Sequence, residues 1–198
     1  MDFLPIQRAL ISVTDKSGLT DLCTALTSKQ VQLVSTGGTM RHIQEAGMPV
    51  TAVSEVTGFP EILGGRVKTL HPFIHAGILA DKDNQEHLDT LSRLDILPFD
   101  LVCVNLYDFA QAVEEKKQDV ELIEEIDIGG PTLLRAGAKN YHSMTVLPTT
   151  EAYSEFLAEL ENNHGAVSLD FRRRMAARAF ALTSRYDHMI TKALETQS

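Results

Sequence analysis

Between residues 10 and 147, short apolar runs alternate with segments whose apolar residues recur at helical spacing, and nothing else in the chain restricts the fold as much. The runs at 10–13, 31–34, 50–53, 101–106 and 144–147 have strand length. The stretches 19–26, 40–46, 86–94, 113–126 and 132–139 read as helices, and Pro131 sits in a first-turn place that proline favours. Such alternation predicts an α/β fold with a mostly parallel sheet. Residues 54–80 are rich in Gly, Pro and His and show no clear period. A loop of that length is functional or disordered, and its Phe, Ile and Leu content argues against disorder. After Pro148 the alternation stops. Residues 151–162 and 168–194 predict two helices joined at Asn163-His164-Gly165. The expected organisation is one domain, with an α/β core over 1–148 and a helical extension over 149–198.

Of the 198 residues, 43% are hydrophobic, which suits one sizeable core. A formal charge of -9 argues against nucleic acid or an anionic membrane as a general partner. Cations that bind an anion must then be concentrated locally. Cys23 and Cys103 make no disulfide framework and fit a reducing cytosol. No apolar run reaches the length of a membrane span, and Met1-Asp2-Phe3 lacks a basic leader region, so a cytoplasmic protein is expected.

The chemistry-bearing residues fall into short motifs. Arg66-Val67-Lys68-Thr69-Leu70-His71-Pro72 follows Gly64-Gly65, and its two cations can converge on one anion. Arg offers a bidentate fork and Lys a movable point charge, although a solvated basic loop has the same composition. Ser12-Val13-Thr14-Asp15-Lys16 and Ser35-Thr36-Gly37-Gly38-Thr39 each sit where a strand gives way to a helix. In a parallel sheet such strand ends line one edge, and glycines before a helix N-terminus suit a phosphate. Neither motif fits the P-loop or dinucleotide fingerprint, and each alone reads rather as an ordinary turn with a helix cap. Taken with the Arg66/Lys68 loop they predict a phosphate pocket.

Asp127 and Lys139 are twelve residues apart; they form a proton-transfer pair if the loop folds back, or a surface ion pair. Tyr107 can bring its hydroxyl to the same edge, or merely pack. His71 and His75 are four apart, but Pro72 between them disfavours a helix and no third ligand is near, so no metal site is expected. Arg172-Arg173-Arg174 with Arg178 and Arg185 predicts a solvated or intersubunit face.

As a set the motifs are more specific. The motifs just quoted occur in order with Thr57-Gly58-Phe59-Pro60-Glu61, His75-Ala76-Gly77-Ile78-Leu79-Ala80, Asn105-Leu106-Tyr107, Ile126-Asp127-Ile128-Gly129-Gly130-Pro131 and Ala138-Lys139-Asn140. Together they resemble the inosine monophosphate (IMP) cyclohydrolase domain, the N-terminal half of a bifunctional purine-synthesis enzyme, over nearly the whole chain. The resemblance implies a methylglyoxal-synthase-like fold, three layers α/β/α, with C-terminal helices. It also implies closure of 5-formamidoimidazole-4-carboxamide ribotide to IMP with loss of water, by a homodimer without metal or organic cofactor. Carried over, Thr14, Asp15, Lys16, Thr36, Gly37, Gly38 and Thr39 would hold the phosphate and ribose side, extended by Arg66 and Thr69. Val104, Asn105 and the Asp127-Ile128 backbone would hold the base. Lys68, Tyr107, Asp127 and Lys139 would carry the chemistry.

That chemistry needs those residue types. A carboxamide nitrogen is a poor nucleophile, so Asp127 with Lys139 is expected to remove its proton. Attack on the formyl carbon develops an oxyanion, which Lys68 and Tyr107 would stabilise. Two departures stand out. Asp108 replaces a proline usual in the family and adds a negative charge to the turn after Tyr107. The chain ends at Ser198 without a formyltransferase half, so it is expected to work beside such an enzyme or to be normally fused to one, and not to transfer formyl groups itself. Two rivals share the fold: a regulatory phosphate- or nucleotide-binding module, as in carbamoyl phosphate synthetase, and methylglyoxal synthase. The first needs neither Asp127 nor Lys139 as catalysts; the second leaves 66–72 unexplained.

Overall fold

In the computed structural model, which describes residues 1–107, 109, 113, 115 and 119–196, the apolar runs pair into one parallel sheet. In chain order the elements begin with strand β1 (Phe3–Pro5), β2 (Arg8–Ser12), helix α1 (Leu19–Ser28), β3 (Gln32–Ser35), α2 (Gly37–Glu45), β4 (Thr51–Ala52) and α3 (Val53–Thr57). They continue with α4 (Pro72–Leu79), α5 (Gln85–Arg93), β5 (Leu101–Val104), α6 (Asp119–Glu124), α7 (Gly129–Lys139), β6 (Thr145–Leu147), α8 (Ala152–Asn162), β7 (Ala166–Ser168) and α9 (Leu169–Thr196). The main sheet runs β4-β3-β2-β5-β6, and every pairing in it is parallel.

The residues of β5 show why helices cover both faces. All four are buried. Neighbouring strand residues point to opposite sides. The Cys103 thiol donates to the Tyr153 hydroxyl of α8 at 3.4 Å. On the other side Val102 lies under α7, where a Cβ on Gly137 would be only 3.6 Å from the Val102 Cβ. A strand buried on both faces reads as an unbroken apolar run rather than an alternating one, as Leu101-Val102-Cys103-Val104 does.

Several elements differ from the sequence reading. The 54–80 stretch holds α3, a 3₁₀ turn at Leu63–Gly65, and α4. Pro72 does not prevent a helix between His71 and His75; it starts one. His71 is the residue before α4, and its Nδ1 accepts the Phe73 N–H at 3.2 Å, so proline's missing N–H falls where none is needed. The antiparallel pair β1–β7 was not expected. It is three residues a side, and it buries Leu4 against Val167. The polar helix expected at 113–126 includes α6; Asp108 lies outside the described residues.

The C-terminal helical extension packs into the main core. Ala152, Tyr153, Phe156, Phe171 and Met175 belong to the same buried cluster as Leu10, Ile11 and Val102. The arginine run does not form one solvated face. Arg172 is fully buried. Its guanidinium donates to the carbonyls of Met1 at 2.7 Å, Tyr141 at 3.0 Å, Asp2 at 3.3 Å and Ser168 at 3.4 Å, and to that of His142. Arg173 and Arg174 pair with Asp170, and Arg174 and Arg178 with Glu155, on the surface. No helix among the described residues is long and apolar enough to cross a membrane.

Candidate active site

In the main sheet β2 lies at the turning point: β3 and β4 extend to one side of it, β5 and β6 to the other. In open parallel sheets ligands bind beyond the strand C-termini at such a point. Here those C-termini carry the loops after Ser12, Ser35 and Val104. They line a cavity of about 660 Å³, within the range of small-molecule sites. Thr14, Lys16, Thr36, Gly37, Gly38, Thr39, Arg66, Lys68, Thr69, Val104, Asn105, Tyr107, Asp127 and Ile128 all line it. Asp15 and Lys139 do not.

One end of the cavity suits an anion. Gly37 opens α2 with φ +56, a left-handed conformation that costs glycine little. The helix N-terminus presents unpaired N–H groups and a positive dipole end. Two ammonium groups flank it. A Cβ built on Gly37 would lie 3.6 Å from the Lys68 Nζ, and one on Gly38 would lie 3.9 Å from the Lys16 Nζ. Side-chain bonds tie this end together. The Thr39 hydroxyl accepts the Val13 N–H at 3.0 Å and donates to the Val13 carbonyl at 2.9 Å, joining α2 to the end of β2. Asn105, expected at a base, spends most of its carboxamide on the 14–16 loop. Its Oδ1 accepts the N–H groups of Thr14 at 2.6 Å and Asp15 at 3.1 Å, and its Nδ2 donates to the Asp15 carbonyl at 2.8 Å. The Asp15 carboxylate turns away to accept the Ser17 N–H at 2.9 Å, which removes it from the lining.

The other end carries a carboxyl. Asp127 Oδ1 accepts the Gly130 N–H at 2.8 Å in the first turn of α7. Burial pushes its pKa above the ordinary carboxylate value, and the N–H groups of Gly130 and Gly129 only partly offset that. Glycine at 130 is required by contact. A Cβ there would stand 2.3 Å from Asp127 Oδ2 and 2.8 Å from Leu106 Cδ2. Gly129 abuts the cation loop, since its Cβ would lie 3.4 Å from the Thr69 hydroxyl. Tyr107 is 47% exposed and lines the same cavity.

Asp127 and Lys139 do not meet within this chain. They flank the length of α7, and a helix of that span carries its ends about 15 Å apart. Lys139 is exposed at the far end.

Sequence reasoning missed two residues here. Glu124, from α6, also lines the cavity and pairs with Arg66, whose Nε donates to Glu124 Oε2 at 3.3 Å. A carboxylate is not looked for at a phosphate site, and nothing local marked it. The Lys68 ammonium is likewise matched, at 3.2 Å, by Glu61 Oε1. The second residue, Tyr186 of α9, is 59 residues from Asp127, and its hydroxyl accepts the Asp127 N–H at 2.8 Å. Among the described residues no group of three or more His, Cys, Asp or Glu could hold a metal ion.

Known proteins share the sequence and the fold of this chain. Residues 18–132 match the family described as MGS-like domain, and residues 137–198 match that described as AICARFT/IMPCHase bienzyme. Bifunctional purine biosynthesis protein PurH of Rippkaea orientalis is 52% identical over 192 residues, 96% of this chain and 37% of its own length. The PurH proteins of Lactobacillus delbrueckii and Clostridium kluyveri are 50% and 49% identical over 96% of this chain. The chain thus spans less than two fifths of the length of these relatives. The crystal structure of ForH superposes with a TM-score of 0.85 at 29% identity, over 96% of this chain and 97% of that one. By sequence and fold, the chain belongs to the MGS-like domain family and continues into an AICARFT/IMPCHase region that it shares with the N-terminal part of PurH.

Proposed function

We propose that this chain is an IMP cyclohydrolase, closing 5-formamidoimidazole-4-carboxamide ribotide to IMP and water at the end of purine synthesis. One observation carries the reading. A single cavity joins a helix N-terminus flanked by Lys16 and Lys68 to a half-buried carboxyl with a raised pKa, Asp127. The first suits a ribotide phosphate and the second a proton transfer.

In this reading the phosphate sits against Gly37-Gly38, Lys16 and Arg66. The carboxamide nitrogen bonds to the formyl carbon and loses one proton to Asp127. The formyl oxygen becomes an oxyanion that Lys68 and Tyr107 receive. It gathers two protons, one passed from Asp127 and one from the formamido nitrogen, and leaves as water. Both reacting groups belong to one molecule, so holding it folded supplies much of the rate. Lys139 receives no part in this chain's own cavity. The relatives are named bifunctional and the C-terminal match is to an AICARFT/IMPCHase bienzyme, which supports a partnership with an AICAR formyltransferase, and a homodimer follows from the resemblance. Sedimentation of the active species tests the dimer.

The deciding experiment is ultraviolet detection of IMP from the purified chain and the formamido ribotide, without added metal. Sustained turnover is expected. Tight IMP binding with no turnover would replace the reading with that of a regulatory nucleotide-binding module.

A further inference from the structure

The Asp127 carboxyl is fixed at one side by the first turn of α7. What fixes its backbone comes from α9. Tyr186 is 2% exposed, and its hydroxyl makes two bonds. It accepts the N–H of Asp127 at 2.8 Å and donates to the carbonyl of Glu125 at 3.3 Å. One phenol thus bridges the peptide groups on either side of Ile126. The ring is held as firmly as the hydroxyl. It packs edge-on against Phe109, with centroids 6.1 Å apart. With Phe109, Leu122 and Ala193 it forms a small apolar cluster separate from the main core, with Leu106 and Ile126 packed against it. That cluster therefore underlies both segments that bring reactive groups to the cavity, the one ending in Tyr107 and the one ending in Asp127.

We propose that Tyr186 is a positioning residue for the cyclisation, its hydroxyl bridge holding the Asp127 peptide so that the carboxyl stays at the cavity wall. The proposal rests on the reading of Asp127 as the proton-transfer group. It gives α9 a role in the reaction beyond packing. No part of Tyr186 lines the anion end of the cavity. Losing the hydroxyl should therefore misplace Asp127 while leaving phosphate contacts in place. The pattern is a lower kcat with little change in KM, as for an interaction that matters only in the transition state.

Tyr186→Phe keeps the ring and removes only the bridge. Phe109→Leu disturbs the same cluster but keeps the bridge, so it reports what loosened packing alone does. For Tyr186→Phe, kcat is expected to fall about tenfold with KM within twofold, and the pH limb of kcat/KM assigned to Asp127 to shift. Phe109→Leu is expected to leave that limb where it is. Amide hydrogen exchange at Asp127, measured in the intact chain, should rise in Tyr186→Phe relative to the middle of α7. An unchanged kcat and pH limb, or equal changes in the two variants, would overturn the proposal. Should the unmodified chain show no cyclisation, the functional reading has failed, and the role in the reaction fails with it. The exchange measurement then decides the bridge alone: no rise at Asp127 sinks that too.

Discussion

Lys68 and Arg66 stand two residues apart and are asked to do different things. The Lys68 ammonium lies beside Gly37, so a phosphate anchor is a concrete competing role for it. The two roles separate by measurement. Lys68→Met should lower kcat by about 10²–10³, the scale for losing one oxyanion donor, while IMP affinity falls less than about tenfold. Arg66→Ala should chiefly raise KM, the pattern of lost uniform binding. Equal losses of turnover and IMP affinity in Lys68→Met would make Lys68 an anchor. Asp127 allows a test without substrate. Burial raises its folded-state pKa, so between the unfolded and folded values the native protein binds the extra proton. This group's contribution to stability is then present at low pH and is lost as pH rises through the folded value. Asp127→Asn keeps an oxygen for the Gly130 N–H and removes the buried charge. Its melting temperature should exceed the parent's at about pH 8, and the gap should close toward about pH 4, where model carboxyl groups titrate. Cyclisation should fall by about 10²–10⁴.

At the scale of elements, α6 matters through one contact. Glu124 holds Arg66 from across the cavity, so a phosphate that takes Arg66 must displace it. Both side chains are more than half exposed, and water screens such pairs so that they contribute little. Glu124→Gln should therefore tighten IMP binding by no more than about fivefold, and less at high salt. Calorimetric titration at two ionic strengths checks this; weaker binding would mean that Glu124 holds the ligand. The cavity-lining loops after Ser12 and Ser35 were legible in the sequence because strand ends and helix starts carry local turn signals. α4 was not, because His-Pro reads equally as a breaker and as a helix start, and only the Phe73 N–H bond to His71 decides it. Asp127 and Lys139 do not meet within this chain because the segment between them is an intact helix, which holds its ends about 15 Å apart, and not a loop that folds back.

For the molecule as a whole, the parallel sheet and the edge that its strand ends share followed from alternation, whereas the strand order and the links between distant segments did not. β1 with β7, Tyr186 with Asp127, and Arg172 with Met1 each join residues far apart, and no local pattern marks such contacts. Arg172 shows what they contribute. A buried guanidinium is costly unless its donors are satisfied. Here it is satisfied by backbone carbonyls from the N-terminus, from the loop before β6 and from the end of β7. Arg172→Met keeps much of the buried bulk but strands those carbonyls. Leaving charge-assisted hydrogen bonds unmade costs about 3 kcal/mol here. For a chain of this size that lowers the melting temperature by about 6–12 °C. None of the groups it binds lines the cavity, so the cyclisation rate per folded molecule, measured well below the transition, should match the parent's. A rate loss in the fully folded variant would show that the N-terminal tie reaches the site. An unchanged melting temperature would show that water satisfies those carbonyls as well as the arginine does.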